Sequence, residues 1–323
     1  ARFPVAAAIS PQRILNAGGE GASVLGELLE TGVVDEATVV ILHLVAERQR
    51  GSDSALAPWL ATLPTHFDTP IFYRARDLEQ LKGTPLHGAT QAKQRQLAAM
   101  WARLQPAMVE IYSAEDITGA TPTLDDFLWA YSVYWSRALS MPVLTGEWGP
   151  GGVPEVEVQV AIVPGLDFCN HSSAANALWT VLDDIPIHQM RPNDGPGDIK
   201  LSVLASKSLR PGTEVTISYG DKSNEELLFA YGFTEEGNPH DRLMLHCPIP
   251  PQDEWDETMR SRMLLLMARG LSPQLFLPAL QPPKPGAAPL QLPSEVWDTL
   301  EVFVMNKRDL AAAVGALEDE DGG

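Results

Sequence analysis

Two short segments carry residue types that can do chemistry. The first is Val163-Pro164-Gly165-Leu166-Asp167-Phe168-Cys169-Asn170-His171-Ser172, and the second runs from Ile217-Ser218-Tyr219-Gly220 to Tyr231-Gly232-Phe233. Both mix amide, imidazole, carboxylate and phenol groups with Gly, Pro and aromatics, a combination that packing alone does not require. Such groups bind and orient a ligand rather than hold a metal. The seven histidines form no HxxxH pair and the two cysteines no CxxC, so no metal is expected. Cys169 reads as a small buried hydrophobe, since nothing beside it supports a nucleophile. Each other residue also has a bland reading. Asn170 and His171 could form a buried hydrogen-bonded turn, Tyr219 could pack at a strand end, Asp167 could cap a turn, and Arg137 could complement a helix dipole.

Residues 1 to 140 must place these segments mainly with helices, because apolar residues recur there every three or four positions. One helix starts near Asp35 and closes before Gly51, and a second runs from about Gln91 to Leu104. A third follows Thr123, an N-cap with Asp125 and Asp126 in its first turn, and carries Tyr131 and Trp135 towards Leu139. A Gly- and Pro-rich loop is expected from Met141 to Val153. Beyond it the period approaches two, predicting strands at Val156 to Val163, Ala177 to Leu182, Ile199 to Ala205 and Glu214 to Tyr219. Arg210-Pro211-Gly212-Thr213 is the turn before the last of these. Ser223, with Glu226 three residues on, predicts a short helix to Tyr231 that ends at Gly232. Arg242 to Cys247 reads as one more strand. Pro-rich stretches at 248–251 and 282–285 bracket a helix over Trp255 to Ala268, another follows from Ser294 to about Asn306, and an acidic, mobile tail occupies 318–323.

The chain is long enough, at 323 residues and 45% apolar, for one large core and a second small one. No apolar run approaches the ~18 residues of a membrane span, so no membrane partner is expected. A net charge of −19 argues against phosphate backbones and hence against nucleic acid. A partner presenting lysine or another basic surface suits it better.

Taken in order, the two segments resemble the signature blocks of SET-domain methyltransferases, in the branch typified by the Rubisco large-subunit enzyme. Ser136-Arg137-Ala138-Leu139 resembles a third block, while Pro58-Trp59-Leu60-Ala61-Thr62-Leu63-Pro64 and Leu81-Lys82-Gly83-Thr84 look like the family's helical insert. The resemblance implies an α+β chain: a β-rich SET fold with a knot-like core over 1–247, its helical insert at about 20–140 and its core at about 141–233. It also implies the start of a C-terminal helical substrate-binding module at 248–323. Members begin with a strand and a Gly-x-Gly turn that contacts the cofactor; here that turn is missing upstream of Phe3 to Ser10.

The resemblance further implies that Asn170 and His171 bind S-adenosylmethionine through side-chain and backbone contacts. Asp167 and Arg137 would contact or support it, Tyr219 would be the catalytic tyrosine, and Tyr231 would line the cofactor and lysine channel. The expected reaction is methyl transfer to a lysine of a non-histone protein, by a monomer in the chloroplast or cytoplasm. A lysine is neutral only about once in 2,500 at pH 7, a penalty of roughly 4.6 kcal/mol, which an apolar channel reduces. Two alternatives stand beside this: a histidine-methylating member of the same fold, and a catalytically silent SET module that binds a protein.

Overall fold

The computed structural model describes residues 2–4, 8–118, 121–148, 154–182, 200–247, 249–250, 252–278 and 292–321. Its first half is β1 (Arg2–Pro4), α1 (Pro11–Asn16), α2 (Glu20–Glu30), α3 (Glu36–Arg50), α4 (Ala57–Leu60), α5 (Ala75–Leu78), α6 (Pro85–Ala114) and α7 (Leu124–Arg137). Then come β2 (Leu139–Trp148), β3 (Pro154–Ala161), β4 (Asn170–His171), β5 (Ala177–Leu182), β6 (Lys200–Ala205), β7 (Thr216–Ile217) and α8 (Asn224–Tyr231). The rest is β8 (Arg242–His246), α9 (Glu257–Ala268), β9 (Gln274–Pro278), α10 (Ser294–Val304) and α11 (Lys307–Asp321).

Local chemistry starts two helices of the main core, one of which, α7, ends at the site. On α3, the Asp35 carboxylate caps the start by accepting the Thr38 N–H at 2.8 Å. At α7, Thr123 and Asp126 form a reciprocal capping box, with backbone-to-side-chain distances of 3.0 and 3.3 Å. Val39, Val40, Leu42, Leu44 and Val45 of α3 are buried against Phe127, Ala130 and Val133 of α7 in the main core. That core extends through Leu97, Leu104, Met108 and Ile111 of α6. A smaller cluster, Ala8, Met141, Ala161, Val163 and Leu166, sits where the chain leaves the helices for the site.

The strands form a three-stranded sheet in the order β1-β6-β5, the antiparallel ribbons β2-β3 and β8-β9, and the parallel pair β4-β7. The parallel register sets Asn170 opposite Thr216 and His171 opposite Ile217. Thus two segments over forty residues apart in sequence run side by side at the residues of interest.

Several expectations need correction. Residues 139–144 and Trp148 of β2, expected as loop from Met141, pair with β3, with an irregularity between Leu144 and Trp148; Pro142 is tolerated because, among the described residues, the ribbon has only two strands. The remainder of that expected loop, 149–153, lies outside the described residues, as do the stretch 282–285, positions 248 and 251, and Gly322 and Gly323. Helix α6 continues past Leu104, where the expected helix ended, and through Pro106, because Trp101, Leu104, Met108, Ile111 and Tyr112 are buried on both sides of the proline. Strand β7 is two residues rather than six, since the Tyr219 N–H turns to the His171 ring instead of a neighbouring backbone. Residues 318–321, expected as tail, are the last turn of α11. Strands β1 and β9 were not foreseen; both are short and contain proline.

The chain divides into two compact units, one of Ala1–Lys82, Leu86–Asp221 and Glu226–Glu235, the other of Gly83–Pro85, Lys222–Glu225 and Glu236–Gly323. The second has its own core around Leu265, Leu266, Val302 and Leu310. No helix of the described residues is long and apolar enough to cross a membrane.

Candidate active site

A buried carboxylate organises the segment before β4. The Asp167 side chain has no exposed surface. One oxygen accepts the Gly165 N–H at 2.8 Å, and the other accepts the Trp59 indole N–H at 3.0 Å and an Arg137 N–H at 3.1 Å. Arg137 also donates to the Asp167 carbonyl at 3.0 Å, so the last turn of α7 grips both backbone and side chain of this loop. Gly165 has φ +94°, a backbone that glycine reaches without strain. The result is a fixed bend that delivers Cys169, Asn170 and His171 into β4.

His171 is spent internally. Its imidazole is almost wholly buried, with 2% exposed, and its Nδ1 accepts the Tyr219 N–H at 3.0 Å. The Nδ1 edge of the ring is thus taken by the Tyr219 N–H. Asn170 differs, because its side chain is exposed and its amide donates to Glu214 at 2.6 Å.

Four rings meet beyond these residues. Tyr219 lies 5.2 Å from His171 and 4.9 Å from Tyr231, centroid to centroid, and Phe233 is 6.1 Å from both His171 and Tyr231. The Tyr219 hydroxyl donates to the Cys169 carbonyl at 2.7 Å, which fixes its proton and leaves oxygen lone pairs for a ligand. Burial above all pushes its pKa up to about 12, with Tyr231, Cys169 and Asp167 adding and Arg137 opposing. It stays protonated throughout the physiological range. Burial likewise raises Tyr231, and raises the Cys169 thiol, which is consequently no nucleophile.

Of the six sequence-derived candidates, Arg137 and Asp167 bond to each other, His171, Tyr219 and Tyr231 form the ring cluster, and the Asn170 side chain bonds Glu214 instead. Asp167, fully buried and held by three donors, is placed to shape the loop rather than to touch a ligand. Three participants had no assigned role from the sequence: Trp59, Phe233 and Glu235. Phe233 could have been suspected from its place two residues after Tyr231. Trp59 bonds across 108 positions, and no local pattern announces that.

A ring of aromatics around one anchored hydroxyl is a setting that accepts a cation and excludes water. The fold around this ring is that of the SET-domain structures. The SET domain of LSMT, solved with lysine and AdoHcy, superposes on 98% of this chain and 65% of its own with a TM-score of 0.65 at 22% identity. Rubisco LSMT bound to sinefungin and monomethyllysine gives a TM-score of 0.60, also at 22% identity, over 97% of this chain and 64% of its own. Among curated proteins, the actin-histidine N-methyltransferases of Gallus gallus and Danio rerio are 24% and 25% identical to it over 292 residues. Those residues are 89% of this chain but 44% of either relative, so the chain spans less than half the length of the proteins it matches. No family model matches it.

Proposed function

We propose that this chain methylates a protein, taking the methyl group from S-adenosylmethionine and placing it on a histidine ring nitrogen. The carrying observation is the four-ring cluster with the Tyr219 hydroxyl pinned to the Cys169 carbonyl. S-adenosylmethionine, when bound, supplies a methyl group already activated by its positive sulfur. The backbone at Asn170 and His171 and the exposed Asn170 amide would hold it, with Tyr231 and Phe233 beside the cation. Arg137 and Asp167 keep the loop in place. Tyr219 presents its oxygen to the reacting centre, and the rings exclude water while the acceptor nitrogen is aligned.

Two observations favour histidine over lysine as acceptor. The curated relatives act on a histidine of actin, across 89% of this chain. In addition, among the described residues Asp167 and Glu235 beside the cluster are engaged, Asp167 by three donors and Glu235 by the Ser173 N–H at 3.1 Å. Neither is placed to take a proton from an ammonium. An imidazole needs no such help, since about three-quarters of it is neutral at pH 7, against roughly one lysine in 2,500. Lysine remains the second reading, because the solved SET relatives carry lysine and monomethyllysine.

Incubation with labelled S-adenosylmethionine and a protein extract, followed by mass spectrometry of labelled peptides, tests this. A methyl on imidazole and a rate that levels off above about pH 7 are expected, with Tyr219→Phe slower by about 100-fold. The Tyr219 hydroxyl, with its pKa near 12, does not confuse that profile. A methyl on an ε-amine, with a rate rising about tenfold per pH unit towards 10, would establish the lysine reading instead. No label and no binding of S-adenosylmethionine would leave a silent protein-binding module.

A further inference from the structure

We infer that Glu235 is a positioning residue: it fixes the tautomer and the orientation of His171, and through His171 it sets where Tyr219 stands. The inference rests on the methyltransferase reading for its catalytic consequence, though not for its geometry.

The chain of contacts starts at Tyr219. A backbone N–H can only donate, and the Tyr219 N–H points at His171 Nδ1 from 3.0 Å. Nδ1 must therefore carry a lone pair, and the ring proton must sit on Nε2. The Nε2 atom lies 3.7 Å from a Glu235 carboxylate oxygen. At that separation the attraction is chiefly electrostatic, and it acts on a ring that is 98% buried, where water screens little. The other tautomer would set N–H against N–H at Tyr219 and a lone pair against the carboxylate at Glu235. Both ends of the ring reject it.

Glu235 is itself held in place. Its two oxygens lie 3.1 and 3.2 Å from the Ser173 N–H, and the Ser172 hydroxyl donates to it from 3.4 Å. The carboxylate thus clasps the two residues that follow His171 while it faces the ring. It also follows Phe233 by two residues, so one segment supplies both a wall of the cluster and the brace behind it. No ligand contact is needed for Glu235 to matter; it acts through His171. Loss of the carboxylate would free the ring to flip its proton, release the Tyr219 N–H and let the hydroxyl drift from the Cys169 carbonyl, 2.7 Å away.

The test has one arm independent of activity. Nitrogen-15 NMR of the histidine rings, with His171→Gln used to assign the signal, should report a single Nε2–H tautomer at His171 in the wild-type chain. In Glu235→Ala the Nδ1–H tautomer should appear, whereas Glu235→Gln, which keeps an oxygen acceptor, should hold the original tautomer. In the methyl-transfer assay Glu235→Ala should lower kcat by about tenfold, the size of effect seen when metal-binding histidines lose their outer partner, with KM moved less. Glu235→Gln should recover most of kcat, and Glu236→Ala, a change in the neighbouring exposed acid, should match wild type. A wild-type tautomer in Glu235→Ala would overturn the inference whether or not the chain transfers methyl groups. So would wild-type kcat in that variant where the wild-type chain is active. Absence of transfer by the wild-type chain alongside the expected tautomers would count against the proposed function and leave the brace standing.

Discussion

The helical insert and the candidate site are held together by opposite means. In the insert, α3, α6 and α7 interlock through side chains with almost no exposed surface, Val39, Leu42, Leu44, Met108, Phe127 and Val133 among them. At the site the chain runs through the two-residue strands β4 and β7 and a 3-10 turn over Leu166–Phe168, with helix ends supplying Arg137 and Tyr231, and the apolar cluster next to it has five buried members. What fixes the site is a set of directed polar bonds: Asp167 to Trp59, Arg137 and Gly165, and His171 to Tyr219. Dispersed packing supplies stability, because each contact is small and many are needed. Directed bonds supply position, because they weaken steeply with angle and distance. One region can lose a contact and remain in place; the other cannot.

The strongest challenge to that contrast is Phe127→Ala. The ring is fully buried and stacks on Trp101 at 5.4 Å, so removal should cost about 4 kcal/mol of folding stability, read by denaturant unfolding. Binding of S-adenosylmethionine by the protein that remains folded should be unchanged. Asp167→Asn should cost less, about 3 kcal/mol, since it leaves Arg137 without its buried counter-charge. Its effect on cofactor affinity, measured by calorimetry, should nonetheless exceed that of Phe127→Ala. If the order of the two affinities reversed, the division of labour between insert and site would be wrong.

The same contrast explains what could be read in advance. Helices α3 and α7 were legible to within a residue or two, because their caps at Asp35 and Thr123 and their apolar spacing are local signals. The ends of α8 were legible for a similar reason: Gly232, at φ +83°, closes it in a backbone that other residues reach at a cost. Strand β2 was hidden by Pro142 and Gly146, which read as loop, while its pairing partner starts only at Pro154. The set Asn170, His171, Tyr219 and Tyr231 was visible through its resemblance to known blocks. Its wiring was not. That Trp59 would reach Asp167, that the His171 ring would accept from Tyr219, and that Glu235 would face it are long-range facts, of which only the second follows from the parallel β4-β7 register.

The smallest expected effect lies at the edge of the insert. His43 on α3 has its imidazole pKa held below the ordinary value of 6.5, chiefly by burial, with Arg50 lowering it further and Glu47 pulling the other way. Glu47 is itself buried, bonded to the Ser54 hydroxyl and paired with Arg50, so the charges around the ring largely cancel and burial decides the sign. Between the folded pKa and 6.5 the unfolded chain binds the His43 proton more readily than the folded one does. Folding stability should consequently be complete above 6.5 and fall as the pH drops from there towards the folded pKa. Replacement by a residue that does not titrate, His43→Gln, should flatten that part of the curve, measured as unfolding midpoint against pH. The Tyr219 to Glu235 network should not contribute to the difference, because it is left unchanged. An equal slope in both proteins would mean that the imidazole titrates alike folded and unfolded. The packed insert would then admit a charge at His43 without cost, and its contrast with the polar site would be weaker than the burial of α3 suggests.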